Sequence, residues 1–389
     1  MFRTIRLLLA VFTTACLIRP ATVQASSAPP LPLYGSGVTV LSAVNSSTNG
    51  WVSDGGQQYW YENGVRQGVK GDPKNITDNV YGEERGREIY DPGTNAWYWL
   101  DANNGGAKAV NKDVWLPYLF QTDLKTGQNP EGKWVRYDAK GSMAKGIQYF
   151  DGSWYAFDEK TGAMIKGWKK TASGNYAFYG LSTGKLKEAD FTYQNIMYKI
   201  DAATAHVYYT MPLNVPYYNQ RDSRWAWSYI GGYPICQSGC VCCTAASLIN
   251  FYTGLSLTPV DTGKMFNAWG CYNTGGYHGT NAKVWRQVAK KYGLTYENFM
   301  TLSDVKAALR KGNMVAAAVG PGRFVYAGTH SLLLFGLDAN NRTYVYDPYE
   351  KSLSGWYSVD YIWGQRSSDP GDLLDGGPFF ALGLFEFDQ

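Results

Sequence analysis

A short pattern recurs through the first half of the chain, and it restricts how that half can fold. Each unit reads aromatic-x-aromatic, then Asp or a neighbour, then a Gly turn, then a short second strand that ends in Gly. The units occupy residues 51–68, 97–109, 134–146, 154–167 and 176–189. Period-two alternation followed by a Gly-containing turn is typical of a β-hairpin. A lone hairpin is marginal in water, so the units must stack and share their aromatic faces. We therefore expect an all-β hairpin solenoid, with an irregularity between residues 69 and 88.

Residues 49–190 resemble the cell-wall-binding repeats, of choline-binding and glucan-binding type, on exported proteins of Gram-positive bacteria. In those families, aromatic side chains of adjacent hairpins form cages for choline or sugar rings. The resemblance implies a cell-wall polymer (choline, teichoic acid or glucan) as partner, and cation–π and stacking contacts account for the aromatic residues. Alternatively, Trp97, Trp134 and Trp154 fill the hairpin core.

The N-terminus predicts export. Residues 1–25 carry Arg3 and Arg6, then an apolar run, then a small-x-small site, which is typical of a signal peptide. Residues 26–48 have the composition of a linker. The apolar run is shorter than the ~20 residues of a spanning helix, and no later run is long enough. We expect a secreted or cell-wall-surface protein without a membrane span.

The charge of the chain does not favour polyanionic partners. The formal charge is +4, and the signal segment contributes three arginines, so the mature chain is near +1. Nucleic acid is therefore not expected as a partner.

The composition changes near Asn214, where a second unit begins. We assign residues 191–210 to a connecting segment and 211–389 to an α+β domain. Helices are predicted over 242–252, over 281–292 and from the capping residue Ser303 to Gly312, and strands over 314–319, 331–337 and 343–347. Helices followed by an antiparallel sheet indicate an α+β plan. The whole chain is thus expected to be multidomain.

Three residues of this domain suggest nucleophilic catalysis. Cys240 stands at a helix start, where the helix dipole and a nearby imidazole would stabilise the thiolate. His330 opens an apolar strand and would be the general base. Asp347 ends the next strand and would fix the imidazole tautomer, although it could alternatively cap a turn before Pro348.

The spacing of His330 and Asp347 raises a difficulty. A tight turn at Asn340 and Asn341 would place Asp347 opposite Leu334, about four residues or about 13 Å along the strand from His330. A bulge, strong twist or looser turn is needed to bring the two side chains together.

The C-terminal pattern resembles the papain-like peptidases related to the bacteriocin-leader-cleaving family, the thirty-ninth cysteine peptidase family. The matching segments are VPYYNQRDSRWA (215–226), SGC and its helix (238–250), THSLLLFGLD (329–338) and VYDPY (345–349). The resemblance implies Cys240 as nucleophile, His330 as base, Asp347 as orienting acid and Gln220 as part of the oxyanion hole. The sequence departs from the family pattern at Val241, Cys242 and Cys243.

The cysteines leave several arrangements open. Removal of the signal leaves Cys236, Cys240, Cys242, Cys243 and Cys271. An odd number is compatible with one working thiolate and up to two disulfides, in which Cys242 or Cys243 could pair with Cys236 or Cys271. A zinc site from Cys236, Cys240, Cys242 and His278 is a weaker alternative because the spacings match no common finger.

These observations favour an exported, cell-wall-attached cysteine peptidase or amidase that acts on peptide or peptidoglycan cross-bridge amides. No metal or organic cofactor is implied. The alternative is a wall-binding or adhesion protein whose papain-like domain is inactive.

Overall fold

The computed structural model describes residues 45–77, 83–117, 132–273, 278–298 and 301–385. The predicted signal peptide and most of the predicted linker lie outside these residues.

The chain begins with a seven-stranded antiparallel sheet. Its strands are β1 (Gly50–Asp54), β2 (Gln57–Glu62), β3 (Val65–Arg66), β4 (Ile76–Thr77), β5 (Glu84–Asp91), β6 (Ala96–Asp101) and β7 (Ala107–Lys108). The order is β1-β2-β7-β6-β5-β4, with β3 beside β2. A short 3₁₀ helix, Ala102–Asn104, joins β6 to β7. The expected irregularity at 69–88 contains β4, whose pairing with β5 shifts register between Ile76 and Thr77.

Small hairpins follow. The strands are β8 (Lys112–Pro117), β9 (Gly132–Tyr137), β10 (Gly146–Phe150), β11 (Ser153–Phe157), β12 (Gly167–Lys170), β13 (Tyr176–Tyr179), β14 (Phe191–Tyr193), β15 (Ile196–Ile200) and β16 (Val207–Pro212). They pair as β8-β9, β10-β11 and β12-β13, and β14-β15-β16 form a three-stranded sheet. This three-stranded sheet includes most of residues 191–210, which we had assigned to a connecting segment.

The pairing differs from our expectation in the units 134–146, 154–167 and 176–189, whereas in the units 51–68 and 97–109 the aromatic strand also pairs with the segment after it. We expected the aromatic strand to pair with the short segment after it, but β11 pairs with the preceding strand β10. The segment after β11 contributes only an isolated bridge between Phe157 and Met164. The reason lies in the turn: Asp151 and Gly152, between β10 and β11, both have positive φ, at 50° and 72°. Two positive φ values give the two-residue turn whose twist matches antiparallel strands.

Consecutive units are joined by one repeated backbone hydrogen bond. The N–H groups of Met143, Met164 and Leu186 donate to the carbonyls of Trp97, Trp134 and Trp154 at 2.8, 2.7 and 2.8 Å. Each bond ties the bridge segment of one unit to the aromatic strand of the unit before it. The predicted all-β hairpin array is therefore confirmed.

The indoles of Trp97, Trp134 and Trp154 lie on the surface of this array. They are 40%, 40% and 41% exposed, so the alternative that they fill the hairpin core is wrong. Their strand neighbours Tyr98 and Tyr155 take the buried positions instead, because successive side chains of a strand alternate between two faces.

The second half has an α+β fold. The helices are α1 (Ile235–Ser238), α2 (Cys240–Thr253), α3 (Pro259–Ala268), α4 (Lys283–Tyr292), α5 (Leu302–Lys311) and α6 (Val359–Gly364). The strands are β17 (Tyr229–Ile230), β18 (Tyr233–Pro234), β19 (Thr295–Asn298), β20 (Met314–Val319), β21 (His330–Phe335), β22 (Arg342–Tyr346), β23 (Gly355–Ser358) and β24 (Phe379–Gly383), with a 3₁₀ helix at Lys351–Leu353. A six-stranded antiparallel sheet has the order β19-β24-β20-β21-β22-β23.

These elements lie close to the predicted ones, with one corrected cap. The residue that caps α5 is Thr301 and not Ser303, because Thr301 Oγ1 accepts from the N–H of Asp304 at 3.2 Å. An N-cap side chain bonds an N–H two or three residues later, which moves the helix start to Leu302.

Helices cover both faces of the sheet. Leu333 and Phe335 of β21 pack into a core cluster with α2, α3 and α4. Leu332 and Leu334 face the opposite cluster with α5 and α6. Because both faces are covered, β21 is fully buried, and burying such a side chain contributes about 1.5–3 kcal/mol.

The last strands before the α+β region are bonded to it by buried contacts. Tyr198 of β15 donates its hydroxyl to the carbonyl of Lys311 at 2.9 Å. Thr210 of β16 donates to the carbonyl of Leu309 at 2.7 Å. The two contacts fix the end of the hairpin array against helix α5.

Candidate active site

Cys240 occupies the first position of α2. The turn between α1 and α2 requires Gly239, because a Cβ there would lie 2.6 Å from the carbonyl oxygen of Ile235. No side chain caps α2, so its first-turn N–H groups and the positive end of its dipole are available at Cys240. The thiol is partly exposed, which suits a nucleophile.

His330 and Asp347 form a buried pair. The ring Nε2 of His330 donates to Oδ1 of Asp347 at 2.8 Å, and the two side chains are only 7% and 0% exposed. The Cys240 thiol lies close enough to His330 to raise the pKa of the imidazole. Because Nε2 is engaged with the carboxylate, Nδ1 is the ring nitrogen available to the thiol. The structure thus brings the three residues together.

The environment of His330 favours its charged form. Burial lowers the pKa of the imidazole, but the hydrogen bonds to Asp347 and Cys240 and their charges outweigh burial and raise the pKa to about 9. His330 is therefore an imidazolium at neutral pH, and an imidazolium stabilises an adjacent thiolate.

The register between β21 and β22 removes the difficulty found in the sequence. Our expectation that Asp347 lies opposite Leu334 was wrong, because Leu334 pairs with Val345 and Leu333 with Tyr346. Strand β21 stops early at Gly336, which has a φ of 69°. The looser connection moves Asp347 two residues closer to His330 along the ladder.

Asp347 also caps a turn, so the two roles proposed for it coexist. Its Oδ1 accepts the backbone N–H groups of Tyr349 at 2.8 Å and Glu350 at 3.0 Å, in addition to His330. Its Oδ2 is buried without a hydrogen-bond partner among the described residues. Three donors on one oxygen fix the carboxylate plane and, through it, the imidazole ring.

Gln220 connects the loop that follows Asp347 to the segment that precedes Cys240. Its backbone N–H donates to the carbonyl of Pro348 at 2.7 Å. Its Nε2 donates one hydrogen to the carbonyl of Cys236 at 2.9 Å, four residues before Cys240. A primary amide carries two N–H donors, so the second remains for another acceptor. Gln220 is buried, which holds the amide in place.

The five described cysteines are all free thiols, so none of the disulfides that the sequence left open is formed. Cys242 and Cys243 are fully buried, and burial raises the pKa of both thiols well above the usual range. Neither can supply a thiolate at neutral pH. The described residues also contain no group of three or more metal-ligating side chains, which does not support the zinc alternative with His278.

Two contributors to the site were not found from the sequence. Tyr217 donates its hydroxyl to the carbonyl of Asp347 at 2.8 Å, and Ser354 Oγ accepts the N–H of Asp347 at 3.1 Å. Tyr217 lies in the segment that gave Gln220, which was its only signal. Ser354 had none, because its contact depends on a loop whose path follows no periodic pattern.

A helix-borne cysteine facing a strand-borne His–Asp pair defines a papain-like α+β domain, here joined to an aromatic hairpin array. Residues 212–368 match the family model described as "Peptidase_C39 like family", and residues 126–166 match that described as "Choline-binding repeat". The two resemblances stated from the sequence are confirmed.

Solved structures resemble each half of the chain. Choline-binding protein F of Streptococcus pneumoniae is 23% identical with a TM-score of 0.28, over 41% of this chain and 45% of that one. A C39-like peptidase of Bacillus anthracis is 14% identical with a TM-score of 0.31, over 45% of this chain and 96% of that one. A pneumococcal cell-wall endolysin from phage Cp-1, complexed with choline, is 20% identical with a TM-score of 0.22, over 41% and 37%.

The chain thus spans about half the length of the choline-binding structures that it matches. No curated protein matches it. Among the described helices, none combines the length and apolarity needed to cross a bilayer.

Proposed function

We propose that this protein is an exported, cell-wall-associated cysteine peptidase or amidase that hydrolyses peptide or peptidoglycan cross-bridge amide bonds. The observation that carries the proposal is the His330–Asp347 hydrogen bond of 2.8 Å, with the Cys240 thiol close enough to raise the pKa of the same imidazole. A nucleophile, a base and a group that orients the base are the minimum set for this chemistry.

The reaction would begin from a thiolate–imidazolium pair. The Cys240 thiolate attacks the amide carbon, and the carbonyl oxygen becomes an oxyanion. Collapse of this intermediate breaks the C–N bond, and the leaving amine takes the proton of His330. Water then attacks the thioester while His330 accepts its proton, and release of the carboxylic acid restores the pair.

Two donors suit the oxyanion. One is the backbone N–H of Cys240 at the uncapped start of α2, and the other is the second N–H of Gln220 Nε2. Because the Cys236 carbonyl holds the first N–H of that amide, the second points in a fixed direction and needs no reorganisation during the reaction.

The hairpin array would hold the enzyme on the wall. Its surface carries cross-strand aromatic pairs with ring centroids 5.3 Å apart for Tyr90 and Trp97, 5.6 Å for Trp115 and Trp134, and 5.0 Å for Tyr149 and Trp154. Trp97, Trp134 and Trp154 are about two-fifths exposed, so their faces can receive a quaternary ammonium or a sugar ring.

The catalytic proposal is tested by incubating the full chain with purified peptidoglycan and a peptide library, and by counting new amino termini. We expect cleavage by the wild type and by Cys236→Ala, which changes the other partly exposed cysteine, and none by Cys240→Ala. Equal activity of Cys240→Ala and wild type would remove Cys240 from the mechanism. Wall binding without cleavage by the wild type would indicate an inactive adhesion protein.

The wall-binding proposal is tested separately by retention on immobilised choline and on purified cell wall. Trp134→Ala should weaken retention, whereas Trp227→Ala, which removes a 69% exposed indole outside the repeats, should not. Equal retention of the two variants would contradict a role for the aromatic pairs.

A further inference from the structure

A cleft away from Cys240, His330 and Asp347 lies between the two halves of the chain. It has a volume of about 670 Å³ and lies where the β12–β13 hairpin meets helix α5 and strand β19. Its walls therefore come from both halves of the chain, and neither half alone would form it. The contacts of Tyr198 with Lys311 and of Thr210 with Leu309 keep these walls in a fixed relation.

The lining of this cleft is basic. Four cations line it, Lys170, Lys306, Arg310 and Lys311, against two carboxylates, Glu297 and Asp304; because Lys306 pairs with Asp360 outside the lining, one positive charge remains in excess. Of the two carboxylate residues, Asp304 is already hydrogen-bonded to Thr301 at the start of α5. Lys306 already forms an ion pair with Asp360 at 2.7 Å, so its charge is not available to a ligand.

Arg310 has a partly buried charge that forms no ion pair within 4.0 Å among the described residues, although the nearby charge of Asp338 raises its pKa. Its guanidinium donates to neutral oxygens: the carbonyls of Tyr208 and Asp338, the latter at 3.2 Å, and Oδ1 of Asn341 at 3.5 Å. The carboxylate of Asp338 is bonded instead to Arg342 at 2.8 Å. Burial lowers the pKa of Arg310 to about 10, so the guanidinium stays charged at neutral pH. Such a charge is destabilising unless an anion compensates it.

Lys170 supplies a second available charge. It is exposed at the end of β12, and in the described part of the chain it makes no ion pair. Amide side chains of Asn175, Asn298 and Asn341 complete the polar lining, and amides bond hydroxyl and acetamido groups.

We propose that this cleft binds an anionic saccharide, with Lys170 and Arg310 receiving its phosphate or carboxylate and the asparagine amides its hydroxyl groups. The choice of a saccharide rests on the proposed wall association, whereas the anion site does not. The phosphate would come from a teichoic-acid-type polymer, and the carboxylate from a muramic acid residue of peptidoglycan. Ligand bound there would contact both halves of the chain at once.

Calorimetric titration of the full chain tests this inference with three probes: a choline-free glycerol phosphate oligomer, N-acetylmuramic acid and neutral N-acetylglucosamine. We expect one of the two anionic probes to bind more tightly than the neutral probe. Lys170→Glu should weaken this binding about tenfold, equivalent to about 1.4 kcal/mol, while Lys185→Glu, at an exposed lysine outside the cleft, should not. Because Lys170 is exposed, its substitution should leave the fold intact, which thermal unfolding checks.

The pattern of results identifies the source of the anion and separates this inference from wall binding through the repeats. Selective binding of the glycerol phosphate oligomer indicates a teichoic acid, and selective binding of N-acetylmuramic acid indicates peptidoglycan. Trp134→Ala should leave binding of the choline-free probe unchanged, even where it abolishes retention on choline. Absence of binding by both anionic probes, equal binding of the neutral probe, or equal binding by Lys170→Glu and Lys185→Glu would overturn the inference.

Discussion

Replacement of Asp347 by Asn separates the charge of this residue from its geometry. Three N–H groups converge on Oδ1, and Oδ2 has no partner among the described residues. The asparagine carbonyl oxygen must therefore take the Oδ1 position, because an NH₂ group there would face three donors. His330 keeps its ring orientation and tautomer in Asp347→Asn, but it loses the negative charge beside it.

The expected effect on His330 follows from its pKa. Burial lowers this pKa, and contributions from Asp347 and Cys240 raise it from 6.5 to about 9. The rise is equivalent to about 3 kcal/mol in favour of the imidazolium, since a pKa change of one is worth about 1.4 kcal/mol. Each partner contributes both a hydrogen bond and a charge, so loss of the Asp347 charge alone should remove part of this stabilisation and lower the pKa of His330.

The pKa of His330 can be measured without a known substrate. Iodoacetate is an anion and iodoacetamide is neutral, so the ratio of their alkylation rates at Cys240 is high only while the adjacent imidazole is charged. Tandem mass spectrometry resolves the modified cysteine, and Cys236, which is also partly exposed, serves as an internal reference within the same molecule.

We expect the rate ratio at Cys240 to fall with a midpoint near pH 9 in the wild type and at a lower pH in Asp347→Asn. The ratio at Cys236 should not change between the two proteins. Equal midpoints in wild type and Asp347→Asn would refute the reasoning, because the carboxylate would then contribute nothing to the charge of His330. Asp347→Ala provides a further comparison, since it removes the acceptor as well as the charge.

The remaining predictions concern stability and are measured by urea unfolding. His330 has a folded pKa above its unfolded value, so its contribution of about 3 kcal/mol is fully present below pH 6.5 and is lost as the pH rises through about 9; His330→Gln should abolish this pH dependence. Gly239→Ala should cost about 1–3 kcal/mol, because the added Cβ would lie 2.6 Å from the Ile235 carbonyl oxygen, and a neutral result would contradict this tight packing. Tyr198→Phe should cost about 1–3 kcal/mol by leaving the buried carbonyl of Lys311 without its donor, and an unchanged midpoint would show that this contact does not join the two halves.

The sequence predicts those parts of the fold that depend on local patterns. Period-two alternation marked the hairpins, and helical spacing with Gly254 after the last turn marked α2, which the structure ends at Thr253. The chain order of a cysteine, a histidine and a carboxylate marked the three residues that the structure brings together. Each of these signals is contained within a few residues, so no knowledge of distant contacts was needed.

The features that the sequence did not predict depend on distant contacts. The register of β22 follows from the early end of β21 at Gly336, and the next residue, Leu337, bridges Thr210 of β16. That bridge joins residues 127 positions apart, and no local periodicity reports it. Within the hairpins, two strands pair across the turn that has two residues with positive φ. Glycines occur at several turns, so Gly alone does not identify the turn across which the strands pair.

The three neighbouring cysteines show how a helix separates residues that look equivalent in a sequence. An α-helix turns about 100° per residue, so Cys242 projects about 160° and Cys243 about 60° away from the direction of Cys240. Cys242 lies against α3, where its backbone carbonyl accepts from Thr262, and Cys243 lines a small cavity with Tyr217 and Tyr346. Only Cys240 combines partial exposure with the helix start and the imidazole. The cluster therefore does not offer three competing nucleophiles: the fold buries two of the thiols, and burial raises their pKa.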